Sequence, residues 1–238
     1  MKIAEKLAAK LQNNWGEAGV TLAFLGDSVT QGCFEIYRKL DGSIETVFDQ
    51  EYGYHNYVKK ILSTLYPNVP INIINAGISG GNAVHGNDRV ERHVLRHSPD
   101  LTVVCFGLND SCGGDLEAYE TALREIFRKL RAADSEIIFL TPNMMATEVS
   151  CHLPETFRPD STHIIETQVN GTLERFLDSA KAICREMDIP VCDCYAKWKR
   201  LHTIGVRTTD LLSNQLNHPT REMNWLFAYS LVETMLEI

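Results

Sequence analysis

Residues 23–32 read Ala23-Phe24-Leu25-Gly26-Asp27-Ser28-Val29-Thr30-Gln31-Gly32. The run that leads into them, residues 20–25, is apolar, β-branched and aromatic, and has the length of a strand buried on both faces. Gly26 ends that run, and Ser28 stands where the chain must turn sharply. In an α/β sheet, ligands bind in the crevice beyond the carboxyl ends of the strands. A serine placed there presents its hydroxyl to the crevice. Gly26 and Gly32 bracket the turn and let backbone N–H groups approach a bound anion closely. Ser28 is therefore read as a nucleophile. The competing reading, in which it only caps the helix that follows, is weighed below against its company elsewhere in the chain.

Working outward, strand-like runs recur at residues 71–75, 101–106, 136–140 and 190–193. Helical patterns lie between them at 54–66, 88–97, 116–132, 161–187 and 221–236, with Asp115 as a cap and Pro219 or Thr220 as the start of the last. Such alternation predicts an α/β fold, a doubly wound three-layer α/β/α sandwich with a parallel sheet and right-handed crossovers. No Pro/Gly/Ser linker or internal repeat divides the chain, so residues 1–238 are expected to form one domain. Two segments are not simple crossovers. Residues 35–38 and 44–48 read as short hairpin arms around a turn at 39–43. Residues 141–160, with Pro142, Pro154 and Pro159, form a long irregular stretch. Both follow strand ends and are expected to wall the crevice.

Composition narrows the function classes. With 23 basic and 31 acidic residues the formal net charge is −8, and no basic run appears, which argues against a nucleic-acid surface. Residues 1–15 form an amphipathic helical pattern without the continuous apolar core of a signal peptide, and no apolar run is long enough to cross a bilayer. The seven cysteines, an odd count without an export signal, point to reduced thiols and a cytoplasmic location. Cys192 and Cys194 alternate along a strand-like run, point the same way, and read as core thiols. No spacing suggests a metal site, so neither a metal nor another cofactor is expected.

Four separated segments carry chemistry: Gly26-Asp27-Ser28, Asn75 to Gly81, Phe106-Gly107-Leu108-Asn109-Asp110, and Asn217-His218-Pro219. The first three follow predicted strands and the fourth lies beside the last helix, so Ser28, Gly80 and Asn109 can converge at one sheet edge while far apart in sequence. In kind and order these blocks resemble those of the GDSL-type, or SGNH, serine hydrolases, and they span nearly the whole chain. The resemblance implies a flavodoxin-like five-stranded sheet, in agreement with the strand count. It also implies Ser28 as nucleophile and His218 as general base, with the Gly80 N–H and the Asn109 side-chain amide joining the Ser28 N–H as oxyanion donors. The implied activity is metal-independent hydrolysis of small carboxylic esters through an acyl-enzyme, with short-acyl substrates such as acetylated carbohydrates expected by analogy.

The chemistry fits the residue types. A serine hydroxyl becomes nucleophilic when a base takes its proton, and a histidine is suited to that work near neutrality. One feature departs from the family pattern. An aspartate usually stands three residues before the histidine, and here that position is Gln215. Three arrangements are open: a Ser28–His218 dyad oriented by a main-chain carbonyl or by Asn214, which is favoured; a displaced Asp210; or a degenerate enzyme that serves as a ligand-binding module. The oligomeric state is left open.

Overall fold

A computed structural model describes residues 1–237. In chain order its strands are β1 (Val20–Gly26), β2 (Cys33–Arg38), β3 (Ile44–Phe48), β4 (Ile71–Gly77), β5 (Leu101–Cys105), β6 (Glu136–Leu140) and β7 (Val191–Cys192). Its α-helices are α1 (Lys2–Gln12), α2 (Ser28–Gln31), α3 (Tyr54–Leu65), α4 (Ala83–His93), α5 (Leu108–Gly113) and α6 (Leu116–Ala132). They continue with α7 (Arg158–Val169), α8 (Thr172–Glu186), α9 (Cys194–Thr203) and α10 (Asn224–Leu236).

Five strands form a parallel sheet in the order β4-β1-β5-β6-β7, and β2 and β3 form a separate antiparallel ribbon. Side chains alternate between two apolar layers, as the period of a strand requires. Val20, Leu22 and Phe24 face a layer that includes Ile3, Val58, Leu62, Trp198 and Phe227 from α1, α3, α9 and α10. Ala23 and Leu25 face the other layer, with Val90, Leu123, Phe127 and Phe176 from α4, α6 and α8. The three-layer expectation is met.

The register explains why the motif segments meet. Gly26 at the end of β1 pairs with Gly77 of β4 on one side and Cys105 of β5 on the other. The chain passes from β1 outward to β4, then crosses back to β5, so this is the point where the winding reverses. The segments carrying Ser28, Gly80 and Asn109 therefore leave the sheet side by side.

Several elements differ from the sequence reading. The pattern at 161–187 is two helices, broken at Asn170-Gly171, where Gly171 takes φ +80° and Asn170 Oδ1 accepts the Thr172 N–H at 2.9 Å. The helix expected at 88–97 starts at Ala83, capped by Asn82, whose Oδ1 accepts the His85 N–H at 3.0 Å, and a 3₁₀ turn covers Leu95–His97. The last helix begins at Asn224, not at Pro219 or Thr220, because Pro219 bridges back to Leu212 in a tight loop. Cys194 belongs to α9, capped by Asp193, rather than to a strand. It nonetheless lies beside Cys192, Sγ to Sγ 3.9 Å, in the buried core. Residues 141–146 are buried rather than lining an open wall. There the Ala146 N–H donates to Leu216 O at 2.7 Å and the Asn143 amide to Asn217 O at 2.9 Å, so this stretch supports the histidine loop.

Candidate active site

The serine turn is built by its neighbours. Asp27 caps α2, its Oδ1 accepting the Val29 N–H at 2.9 Å, and Gly32 ends that turn at φ +90°. The cap is thus Asp27 and not Ser28, which leaves the serine hydroxyl free for another partner. Burial pushes the Asp27 carboxyl up to about 7, against the backbone N–H it accepts. Arg89, buried in α4, fastens the strand ends beneath the turn: Nη2 donates to Gly26 O at 2.7 Å and Nη1 to Ala76 O at 2.5 Å.

The second segment folds back on the first. The Ile78 N–H donates to Gly26 O at 3.2 Å, and the Gly81 N–H closes a turn onto Ile78 O at 3.0 Å. Gly80 occupies that turn at φ +75°, and a Cβ there would meet nothing within 4 Å, so the glycine answers a backbone requirement rather than a lack of space. Among the described residues neither the Ser28 N–H nor the Gly80 N–H donates to a protein acceptor. The third segment is stitched to the second. Asn109 Nδ2 donates to Gly81 O at 2.8 Å, which fixes the side-chain amide and leaves one of its hydrogens free. Asp110 Oδ1 accepts the Ala83 N–H at 2.8 Å, and burial pushes its carboxyl up to about 6.

His218 completes the arrangement. Its Nε2 lies 2.9 Å from Ser28 Oγ, and its Nδ1 lies 2.8 Å from the main-chain oxygen of Phe34 in β2. A carbonyl oxygen can only accept, so Nδ1 carries the proton and Nε2 is left as the acceptor for the serine hydroxyl. Serine and histidine are 4% and 5% exposed. Burial lowers the imidazole to about 4, opposed by the Phe34 carbonyl and by the charge of Glu35. Asn214 does not touch the ring. Its Oδ1 accepts the N–H groups of Leu216, Asn217 and His218 at 2.9–3.0 Å and so shapes the loop that delivers the ring. Gln215 stands at φ +59°, its amide on Leu212 O at 2.6 Å. Asp210 is engaged elsewhere, 3.6 Å from Arg207 Nε. Of the arrangements left open by the sequence, the coordinates hold the main-chain carbonyl.

Ser28, Gly80 and Asn109 lie on the segments that the register brings together, and His218, delivered by the loop before α10, is in hydrogen-bond contact with Ser28. Sequence reasoning missed Phe34, whose contribution is its backbone, and Asn143 and Arg89, which act through carbonyl groups. None of these has a side-chain signature. Together these groups are of the kind acyl transfer needs: a hydroxyl with a neutral imidazole in contact, and unengaged N–H donors on the adjoining segments.

Known proteins share this plan. An acetylxylan esterase of Geobacillus stearothermophilus is 29% identical over 136 residues, 52% of this chain, and the match takes in only 60% of that relative's length. The solved structure of Axe2, an acetylxylan esterase of the same organism, superposes with a TM-score of 0.68 at 22% identity, over 92% of this chain and 94% of that one. LAE5, an α/β-hydrolase enzyme from the metagenome of Lake Arreo, superposes with a TM-score of 0.68 at 18% identity, over 92% and 95% of the two chains. At these identities the two structures speak for the fold. Axe2 structures described as catalytic mutants replace a serine, a histidine and an aspartate three positions before that histidine. The sequence profile of the GDSL-like lipase/acylhydrolase family matches residues 24–226, and this chain belongs to that family.

Proposed function

We propose that the protein is a carboxylic ester hydrolase of a single catalytic domain that works through an acyl-enzyme on Ser28, with short-acyl esters, acetylated carbohydrates among them, as its substrates. The observation that carries the reading is the 2.9 Å contact between Ser28 Oγ and His218 Nε2, with the Nδ1 proton held by Phe34 O. His218 takes the serine proton as Oγ attacks the ester carbon. The resulting oxyanion is met by the N–H groups of Ser28 and Gly80 and by the free hydrogen of the Asn109 amide. Collapse expels the alcohol, protonated by the imidazolium, and water repeats the sequence to release the acid. The acetyl preference is drawn from the named relatives.

Labelling by a fluorophosphonate probe tests the nucleophile. One adduct on Ser28 is expected, absent in Ser28→Ala and weakened in His218→Ala, and a wild-type protein left unlabelled would overturn the reading. A series of p-nitrophenyl esters of rising chain length, followed by acetylated xylo-oligosaccharides, tests the substrate class. Turnover that rises with chain length would contradict the short-acyl assignment.

A further inference from the structure

The imidazole of His218 is oriented by a carbonyl that belongs neither to its own loop nor to the main sheet. Phe34 lies in β2, which among the described residues is hydrogen-bonded into a two-stranded ribbon with β3. A main-chain acceptor is only as well placed as the strand that carries it. A neutral carbonyl also lacks the net charge with which a triad carboxylate stabilises imidazolium. Something must hold this ribbon against the histidine loop, and something must supply negative charge.

One cluster does both. Arg221, three residues after His218, reaches across to the ribbon. Its Nη1 and Nη2 donate to the two carboxylate oxygens of Glu35 at 2.6 and 3.2 Å, and its Nε donates to Asp49 Oδ2 at 3.0 Å. Its guanidinium carbon also lies 4.3 Å from the centre of the Phe34 ring. Glu35 is the residue next to the orienting carbonyl, and Asp49 immediately follows β3, its own N–H bonded to Gly32 O at 2.8 Å. One guanidinium therefore pins both strands of the ribbon to the segment that bears the base. The three side chains are 27–31% exposed, so the pairs are partly shielded from water. Two carboxylates meet one guanidinium, and the Glu35 carboxylate is the one whose charge acts on the imidazole.

We propose that Glu35, Arg221 and Asp49 form a positioning cluster for His218, which aligns the Phe34 carbonyl with Nδ1 and supplies the negative charge that an aspartate before the histidine would otherwise provide. This rests on the ester-hydrolase reading for its kinetic consequence but not for its geometry. The ionisable groups of the surrounding elements are Glu35 and Asp49 on the ribbon, Arg221 beyond the histidine loop, and Asp27 in the serine turn, whose carboxyl burial pushes up to about 7. Of these, Glu35 is the one whose charge favours the imidazolium directly. Arg221 in turn holds the Glu35 carboxyl below the usual carboxylate range, so the charge persists in acid.

Two variants test it, each measured beside wild type for kcat, KM, the acid limb of kcat/KM and thermal midpoint. Glu35→Gln keeps the side-chain shape and removes the charge. It is expected to lower kcat about tenfold to hundredfold, less than the roughly 10⁴ of neutralising a directly bonded triad aspartate, with KM within about twofold. Its acid limb moves to lower pH, because imidazolium loses its nearest anion. Arg221→Lys keeps the charge but loses the two-pronged contact and the stacking on Phe34, and is expected to lower kcat with KM little changed. In parallel, the Nδ1 proton of His218 is followed by NMR. It is expected as a sharp, far-downfield resonance in wild type, broadened in Arg221→Lys. That signal needs no substrate, so it tests the cluster even if wild type turned over no ester. Folded variants with wild-type kcat, an unmoved acid limb and an unchanged Nδ1 resonance would overturn the proposal. A loss of activity matched only by a lower thermal midpoint, with limb and resonance intact, would also overturn it.

Discussion

At His218 burial and chemistry pull in opposite directions. Burial favours the neutral ring and brings it down to about 4, while the Phe34 carbonyl and Glu35 resist. A neutral imidazole is the form that can take a serine proton, so in the proposed mechanism His218 is competent throughout the neutral range and is lost as a base only in acid. The acid limb of kcat/KM on p-nitrophenyl acetate is therefore expected near pH 4, well below the usual histidine value of 6.5. A limb near the ordinary value would mean that the ring is solvated in the working protein. The neighbouring loop yields a second expectation. Among the described residues the Asp210 carboxylate is paired with Arg207 and with no group of the site, so Asp210→Ala is expected to keep activity within about twofold, as surface changes generally leave stability within about 0.5 kcal/mol. Asn214→Ala, by contrast, strands three N–H groups of the histidine loop, two of them buried. It is expected to cost about 1–3 kcal/mol in urea unfolding and to lower kcat. The reverse ranking of these two variants would restore Asp210 as the partner of the base.

Between elements, the closest approach that matters is that of α2 to β4. A Cβ at Gly77 would lie 2.2 Å from Gln31 N and 2.6 Å from Thr30 C, both backbone atoms that cannot swing aside. Gly77→Ala is expected to push the serine turn off the strand, costing about 1–3 kcal/mol as overpacking does. It should also lower fluorophosphonate labelling of Ser28 at temperatures where the protein is still folded. Unchanged labelling would show that the turn is held from elsewhere. Contacts of this kind mark what was legible in the sequence and what was not. The central strands could be read because near-continuous apolar runs bounded by glycine have few alternatives, and β6 falls at the residues expected. The break between α7 and α8 was missed because the helical periodicity runs through it. Its only signal was Asn170-Gly171. Helix α9 was missed because its start follows the two-residue strand β7 directly and the run continues the strand's alternation. Ser28 and His218, which meet at 2.9 Å, stood out by type and order. The orienting group did not, since a backbone oxygen is the same in every residue and only the fold decides which one faces the ring.

Across the whole molecule, the buried ionisable groups near the site oppose one another as pH changes. Asp27 and Asp110 are pushed up to about 7 and about 6, while His55 and His218 are brought down to about 4. A carboxyl whose folded value lies above its unfolded one favours the folded state in acid. For Asp27 that contribution is complete below about 3.8 and is lost as the pH rises through about 7. The two histidines do the reverse. The unfolded chain binds their protons first, so their contribution is complete above 6.5 and is lost as the pH falls towards about 4. Between these limits the slopes partly cancel. Above 6.5 the histidines no longer change, and what remains is the cost of ionising Asp27 in a site only 1% exposed. Asp27→Asn keeps an oxygen to accept the Val29 N–H and removes that ionisation. Urea unfolding of wild type and variant is expected to show the variant gaining on wild type as the pH is raised from 4 to about 7 and levelling off beyond it, because over that range the carboxyl is ionised in the unfolded wild type but not in the folded one, while the histidines are common to both proteins and cancel in the difference. A difference between the two proteins that stays constant with pH would mean that the Asp27 carboxylate is charged throughout. The serine turn would then rest on an anion rather than on a neutral cap.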